Sequence, residues 1–237
     1  MNCSKSEPIP PAAHSATHSV AHSLSVMVLA GGQSRRMGKD KALLPMENGQ
    51  PLLLKTVQAA QSLSTNIVVV TPWPERYQPL LPEFVALVKD PLPSALSSSA
   101  TLSAGPLSGF AHGWGAISSD WCLLLACDMP YLDFSHLQQW WLWLNAKLDN
   151  PSTGLPTPMA SLVPGKKSSK SGWEPLCGYY HRSGIPSLTQ HLESGQHSFQ
   201  SWLSKIPVAP YYSIPERVLF NCNTPGDWNV VCDRITK

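Results

Sequence analysis

From Ser25 onward, short runs of apolar residues alternate with longer stretches in which apolar and polar positions recur at helical spacing. Ser25 to Ala30, Asn66 to Thr71, Phe84 to Lys89 and Trp121 to Cys127 are apolar at successive positions, which predicts strands buried on both faces. Leu52 to Leu63, Ser108 to Ile117 and Ser135 to Leu148 predict helices, the last capped by Ser135. Downstream, strands are expected near Pro175 to His181, Val208 to Tyr212 and Val218 to Cys222, with short helices over Ser183 to Glu193 and Ser198 to Lys205. Thr224-Pro225 opens a last helix, with Thr as N-cap and Pro at the first helical position. Buried strands alternating with helices predict a doubly wound α/β domain: a mostly parallel sheet with helices on both faces.

Three segments break this rhythm. Residues 1–24 show no apolar periodicity and read as a disordered tail. His14, His18 and His22 recur every fourth residue there, but coincidence in an unfolded tail explains them better than a metal site. Residues 91–106 hold five Ser and three Pro, and residues 150–175 five of each; both read as long loops. The expected organisation is therefore a tail (1–24) and one domain (25–237). That domain has a first half at about 25–148, a flexible insertion at about 150–172 and a second half at about 173–237.

Composition narrows the class. The chain has 23 prolines in 237 residues, which excludes a helical bundle. Seventeen Lys and Arg against 15 acids give a net charge of +2, no footprint for duplex nucleic acid. No apolar run reaches the roughly 18 residues of a membrane helix, and no secretory leader is evident, so a cytoplasmic protein is expected. The six cysteines lack any C-x-x-C spacing, and four read as core residues. The cluster Trp140, Trp141 and Trp143 reads as packing in preference to a partner surface.

Candidate chemistry lies where strands end. Leu29-Ala-Gly-Gly-Gln-Ser-Arg-Arg-Met-Gly-Lys-Asp-Lys41 leaves the first strand through two glycines and brings Arg35, Arg36, Lys39 and Lys41. Glycines let the backbone approach a ligand, and open α/β sheets bind ligands at the carboxyl ends of their strands. Four cations would neutralise a polyphosphate. The spacing is neither Walker A nor G-x-G-x-x-G. Asp128, after the Trp121 strand and two residues before Pro130, is a hard oxygen ligand suited to Mg²⁺. Asn221-Cys-Asn223-Thr-Pro225 offers neutral oxygen donors at another turn into a helix, and Gly105-Pro-Leu-Ser-Gly109 sits where a loop meets a helix.

Taken in order, these four motifs resemble those of molybdenum cofactor guanylyltransferases of the MobA type, within the wider nucleotidyltransferase superfamily. The resemblance covers about residues 25–235 and implies that the first half, about 25–148, is the nucleotide half and the second, about 173–237, the acceptor half. It implies a Rossmann-like nucleotidyltransferase domain that transfers GMP from GTP to the phosphate of molybdopterin, releasing pyrophosphate, with Mg²⁺ as cofactor. It implies that Leu29, Ala30, Gly31 and Gly32 hold the guanine and ribose side of GTP. Arg35 and Lys41 would bind the phosphates, and Asp128 would hold the metal; these three are the catalytic candidates. Asp90, Gly105 and Gly109 would complete the nucleotide site, and Asn221 and Asn223 would line the molybdopterin side. Hand-over to molybdenum-insertion proteins and acceptor molybdoenzymes is also implied. The alternative within this fold is another base or acceptor: cytidylyl transfer to molybdopterin, or transfer to a sugar phosphate. A non-catalytic nucleotide-binding protein is the alternative of a different class, and an Asp128 beside loop cations argues against it.

Overall fold

The computed structural model describes residues 22–31, 37–90, 105–150, 156–165 and 172–235. Seven strands form one sheet: β1 (Leu24–Leu29), β2 (Ile67–Thr71), β3 (Ala86–Lys89), β4 (Trp121–Ala126), β5 (Ala160–Pro164), β6 (Trp173–His181) and β7 (Val208–Pro210). Their order is β3-β2-β1-β4-β6-β5-β7. β1, β2, β3 and β4 pair in parallel, β6 runs antiparallel to both β4 and β5, and β7 is parallel to β5. The sheet is mostly parallel, as the alternation predicts, with β6 as the reversed strand.

Among the described residues seven α-helices accompany it: α1 (Leu52–Ala60), α2 (Pro74–Tyr77), α3 (Pro106–Gly113), α4 (Phe134–Asp149), α5 (Ile185–Glu193), α6 (Phe199–Leu203) and α7 (Pro225–Ile235). Successive residues of a strand point to opposite faces, so two separate cores form. Val26 and Val28 of β1 and Leu123 and Leu125 of β4 pack with Leu53 and Val57 of α1 and Leu137, Trp140 and Leu144 of α4. Met27, Cys122 and Leu124 pack on the other face with Leu107 and Phe110 of α3, Leu188 of α5 and Trp202 of α6. β1 and β4 are apolar at every second and every adjacent position because both of their faces are covered.

Trp140 ties α4 to the far side of the sheet. It is fully buried, its ring stacks on Tyr211 and meets Tyr179 edge-on, and its Nε1 donates to the buried Ser161 Oγ at 2.8 Å. Trp140→Phe removes that bond and part of the ring and leaves the Ser161 hydroxyl unanswered. The expected cost is about 1–3 kcal/mol, read as a lower midpoint of thermal unfolding. Trp141 stacks on Tyr179, whereas Trp143 is partly exposed, so the tryptophan cluster packs inward at two of its three positions.

Several sequence expectations need correction. Ala160–Pro164, placed within a long loop and inside the expected flexible insertion, is the strand β5. Val218 to Cys222 is not a strand: Glu216–Leu219 is a 3-10 turn that sinks Val218 alone into the core. β3 is an edge strand with Ala86 and Lys89 exposed, not a strand buried on both faces. The N-cap of α4 is Asp133, whose carboxylate accepts the Ser135 N–H at 2.9 Å; the Ser135 hydroxyl donates to the same carboxylate. Thr224 does cap α7, accepting the Asp227 N–H at 3.2 Å. Among the described residues no helix is long and apolar enough to cross a membrane. His14 and His18 lie outside the described residues.

Candidate active site

The four parallel strands end on one edge, and each motif follows one of those ends or packs against it. The Asp128 backbone carbonyl accepts the Cys222 N–H at 2.8 Å, which lays the segment before α7 against the turn leaving β4. Lys55 of α1 donates to the Pro130 carbonyl at 3.0 Å and fixes the far side of that turn.

Three of the expected residues meet. Lys41 opens a 3-10 turn, Lys41–Leu43, and its Nζ lies 3.0 Å from Asp128 Oδ2 and 2.7 Å from Asn223 Oδ1. The Lys41 and Asp128 side chains are only 15% and 19% exposed, so this pair is shielded from bulk water more than a surface ion pair is. Asn223 is held from behind. Asp227 Oδ2 accepts the backbone N–H groups of Asn223 and Thr224, both at 2.8 Å, while Thr224 Oγ1 accepts the Asp227 N–H. This is a reciprocal capping box, and its N–H donors hold the Asp227 carboxyl below the usual carboxylate range. The spacing Thr224-x-x-Asp227 is a sequence signal that would have found Asp227.

A second group forms beside it at the ends of β1 and β3. Asp90 follows β3, its N–H bonded to the Thr71 carbonyl at 2.8 Å. A Cβ on Gly109 would come within 3.2 Å of Asp90 Oδ2 and 3.7 Å of Leu29 Cδ2; one on Gly31 would meet Pro72 at 3.0 Å and Asp90 Oδ2 at 3.8 Å. Gly109 therefore makes room for the Asp90 carboxylate, which a Cβ would press aside by a few tenths of an ångström, and Gly31 makes room for the Pro72 ring. Burial raises the Asp90 carboxyl above its ordinary value, with His112 opposing. Ala30 continues the ladder, donating to the Val70 carbonyl at 2.9 Å. Gly105 is the N-cap of α3 and has open space around it.

Not every candidate joins these groups. The Asn221 amide NH₂ donates weakly to the Leu219 carbonyl at 3.4 Å, away from the Lys41–Asp128–Asn223 group. Gly32 and Arg35 lie outside the described residues, as does Arg36. Two cysteines flank the site, and burial pushes both thiols up, Cys222 to about 11 and Cys127 further. Neither is a thiolate at neutral pH, so neither is poised as a nucleophile.

Asp128 and Asn223 present a carboxylate and a carboxamide oxygen to the same point, now bridged by the Lys41 ammonium. One or two hard oxygens, completed by substrate phosphates, is the donor set a Mg²⁺ ion takes. No group of three or more His, Cys, Asp or Glu residues with metal-site geometry occurs among the described residues.

Comparison with known proteins converges on one group. The sequence pattern of the MobA-like NTP transferase domain matches residues 26–208. The chain is 40% identical over 210 residues to a probable molybdenum cofactor guanylyltransferase of Nostoc sp., covering 89% of this chain and 91% of that protein. In structure it is similar to a molybdopterin-guanine dinucleotide biosynthesis protein A from Archaeoglobus fulgidus, with TM-score 0.62 and 19% identity over 90% of this chain and 98% of that one. It is equally similar to a 4-diphosphocytidyl-2C-methyl-D-erythritol synthase from Anaerococcus prevotii, with TM-score 0.64, 11% identity and coverage of 90% and 96%. The fold is thus common to enzymes acting on different bases.

Proposed function

Because the chain belongs to the MobA-like NTP transferase family, we propose that it is a molybdenum cofactor guanylyltransferase that joins GMP from GTP to the phosphate of molybdopterin. It is a nucleotidyltransferase. The observation that carries the reading is the meeting of Lys41, Asp128 and Asn223, drawn from three separate motifs, at one edge of the sheet. Relatives at 36–40% identity carry the guanylyltransferase name, which favours guanine over cytosine where the fold alone does not choose.

In this reading an oxygen of the molybdopterin phosphate attacks the α-phosphorus of GTP. The bond from that phosphorus to the oxygen bridging to the β-phosphate breaks, and pyrophosphate leaves with the electron pair. The attacking phosphate is already ionised, so no general base is required and catalysis is alignment plus charge stabilisation. Lys41, with Arg35, neutralises the phosphates of GTP. Asp128, with Asn223 beside it, would hold Mg²⁺, which when bound offsets charge on the phosphates. With that charge on Asp128 answered, the Lys41 ammonium would be free to face the phosphate oxygens of GTP. Leu29, Ala30, Gly31 and Gly32 hold the nucleoside, with Asp90, Gly105 and Gly109 completing that pocket. Asn223 and Asn221 stand on the acceptor side. A cytoplasmic place of action belongs to the same reading. Hand-over to molybdenum-insertion proteins or molybdoenzymes would follow the reaction.

Asp90 offers a test of the nucleotide side. Its folded-state carboxyl value is raised, so the native state holds the proton more tightly than the unfolded chain. Stability then falls as pH rises from the ordinary carboxylate value through the raised one, and at neutral pH the charge is a net cost. Asp90→Asn is expected to raise the thermal midpoint of the free protein at pH 7 while weakening GTP binding about tenfold or more, measured by calorimetric titration. The reaction itself is tested by supplying molybdopterin and Mg²⁺ with GTP, CTP, ATP or UTP. Dinucleotide and pyrophosphate from GTP alone are expected; turnover with CTP or UTP instead would move the base, and none with any nucleotide would sink the reading.

A further inference from the structure

Asp40 immediately precedes Lys41 but meets different partners. Its Oδ1 accepts the Ala42 N–H at 3.1 Å and so closes the start of the turn Lys41–Leu43. Its Oδ2 accepts the Tyr77 hydroxyl at 2.7 Å and the Arg76 guanidinium at 2.8 Å. Both donors come from α2. Tyr77 is fully buried in the core shared with α1 and α4, and Arg76 lies over the Trp73 ring at 4.8 Å. The Asp40 carbonyl also accepts the Leu43 N–H at 3.1 Å. A three-residue 3-10 turn has poor hydrogen-bond geometry and little stability of its own. The direction of this turn is set by what grips its first carboxylate.

The consequence falls on Lys41. Its side chain is long and its rotamers are many, yet in the free protein its ammonium is already held at the site edge, between two oxygens at 3.0 and 2.7 Å. Where the chain starts decides where the charge arrives, and a displacement of about 1 Å can cost on the order of 10²-fold in rate. We infer that Asp40, gripped by Tyr77 and Arg76, is a positioning residue that fixes the direction in which Lys41 presents its ammonium to the substrate phosphates. All three partners of the Asp40 carboxylate donate, so the place demands an acceptor-only group. Asparagine has the same shape but sets an NH₂ against at least one donor, whichever way the amide is turned.

The inference rests on Lys41 as a phosphate-binding group, and its test is a double-mutant cycle. Asp40→Asn is expected to lower kcat about 10–100-fold, the equivalent of losing hydrogen bonds to a charged group, with the circular dichroism spectrum kept. In a Lys41→Ala background the same change is expected to alter kcat less than about twofold, because a positioning residue has nothing left to position. An equal fall in both backgrounds would overturn the inference and make Asp40 merely structural. Tyr77→Phe, which keeps the buried ring and removes one grip, must show the same dependence on Lys41 at smaller size, and it serves alone if Asp40→Asn does not fold. If the wild type makes no guanine dinucleotide, the proposed function fails, and the cycle is read on Mg²⁺·GTP binding instead. A loss of affinity seen only with Lys41 present supports the inference; the same loss in both backgrounds, or no nucleotide binding at all, overturns it.

Discussion

Asp128→Ala is expected to lower guanylyl transfer on the order of 10³-fold, the upper end for removal of one group from a preorganised electrostatic site. The fold should survive. Asp128 anchors the neighbouring segment through its backbone carbonyl, which accepts the Cys222 N–H and remains in the variant. Its carboxylate meets Lys41 in a pair that is mostly but not wholly shielded from water, so its loss should cost about 1–2 kcal/mol, between an exposed and a fully buried pair. The thermal midpoint should therefore move by only a few degrees while turnover collapses. Steady-state kinetics beside a melting curve separates the two. Near-normal turnover in a folded Asp128→Ala protein would remove the metal-holding role from this residue.

Lys41→Ala is expected to cost on the order of 10²–10³-fold in kcat/KM for GTP. Asp128 and Asn223 would then face each other with no cation between them, and GTP phosphates would lose a charge-assisted partner. Because the attacking phosphate needs no base, the pH profile of what activity remains should keep its shape between about pH 6 and 9. Lys41→Arg should recover only part of the loss. A planar guanidinium reaching two oxygens 3.0 and 2.7 Å from one nitrogen cannot place all its donors as a compact ammonium does. Full activity in Lys41→Arg would show that charge alone suffices.

The strands that build the site edge were legible because burial on both faces leaves a signature that few other structures share: β1, β2 and β4 are apolar at consecutive positions. β5 was not, since its five residues, Ala160–Pro164, lie in a stretch rich in Ser and Pro that looks like loop, and only pairing with β6 and β7 makes them a strand. The reversal of β6 is equally silent in sequence, because side-chain alternation carries no strand direction. Val218 and Leu219 misled in the other direction: one apolar residue filling a core does not need a strand to carry it. Asp133 and Ser135 are both good caps, and their own hydrogen bond joins them, so spacing could not choose.

The site follows the same rule. Lys41, Asp128 and Asn223 stood out because each sits in a motif beside an element end, and the sheet topology then brings those ends together. Asn221, two residues from Asn223, shares the motif but not the geometry, since its amide turns to the Leu219 carbonyl. The grip of Tyr77 and Arg76 on Asp40 had no sequence mark: the partners belong to different elements, and only the folded chain shows that three donors converge.

The most direct measurement follows the phosphorus. Purified protein is incubated with molybdopterin, Mg²⁺ and GTP labelled either at the α- or at the γ-phosphate, and the products are separated. The expected result is that α-label enters a guanine dinucleotide, that γ-label leaves only as pyrophosphate, and that Asp128→Ala forms neither. Label from the γ-phosphate in the acceptor, or release as inorganic phosphate, would mean attack at a different phosphorus and would contradict guanylyl transfer at this site.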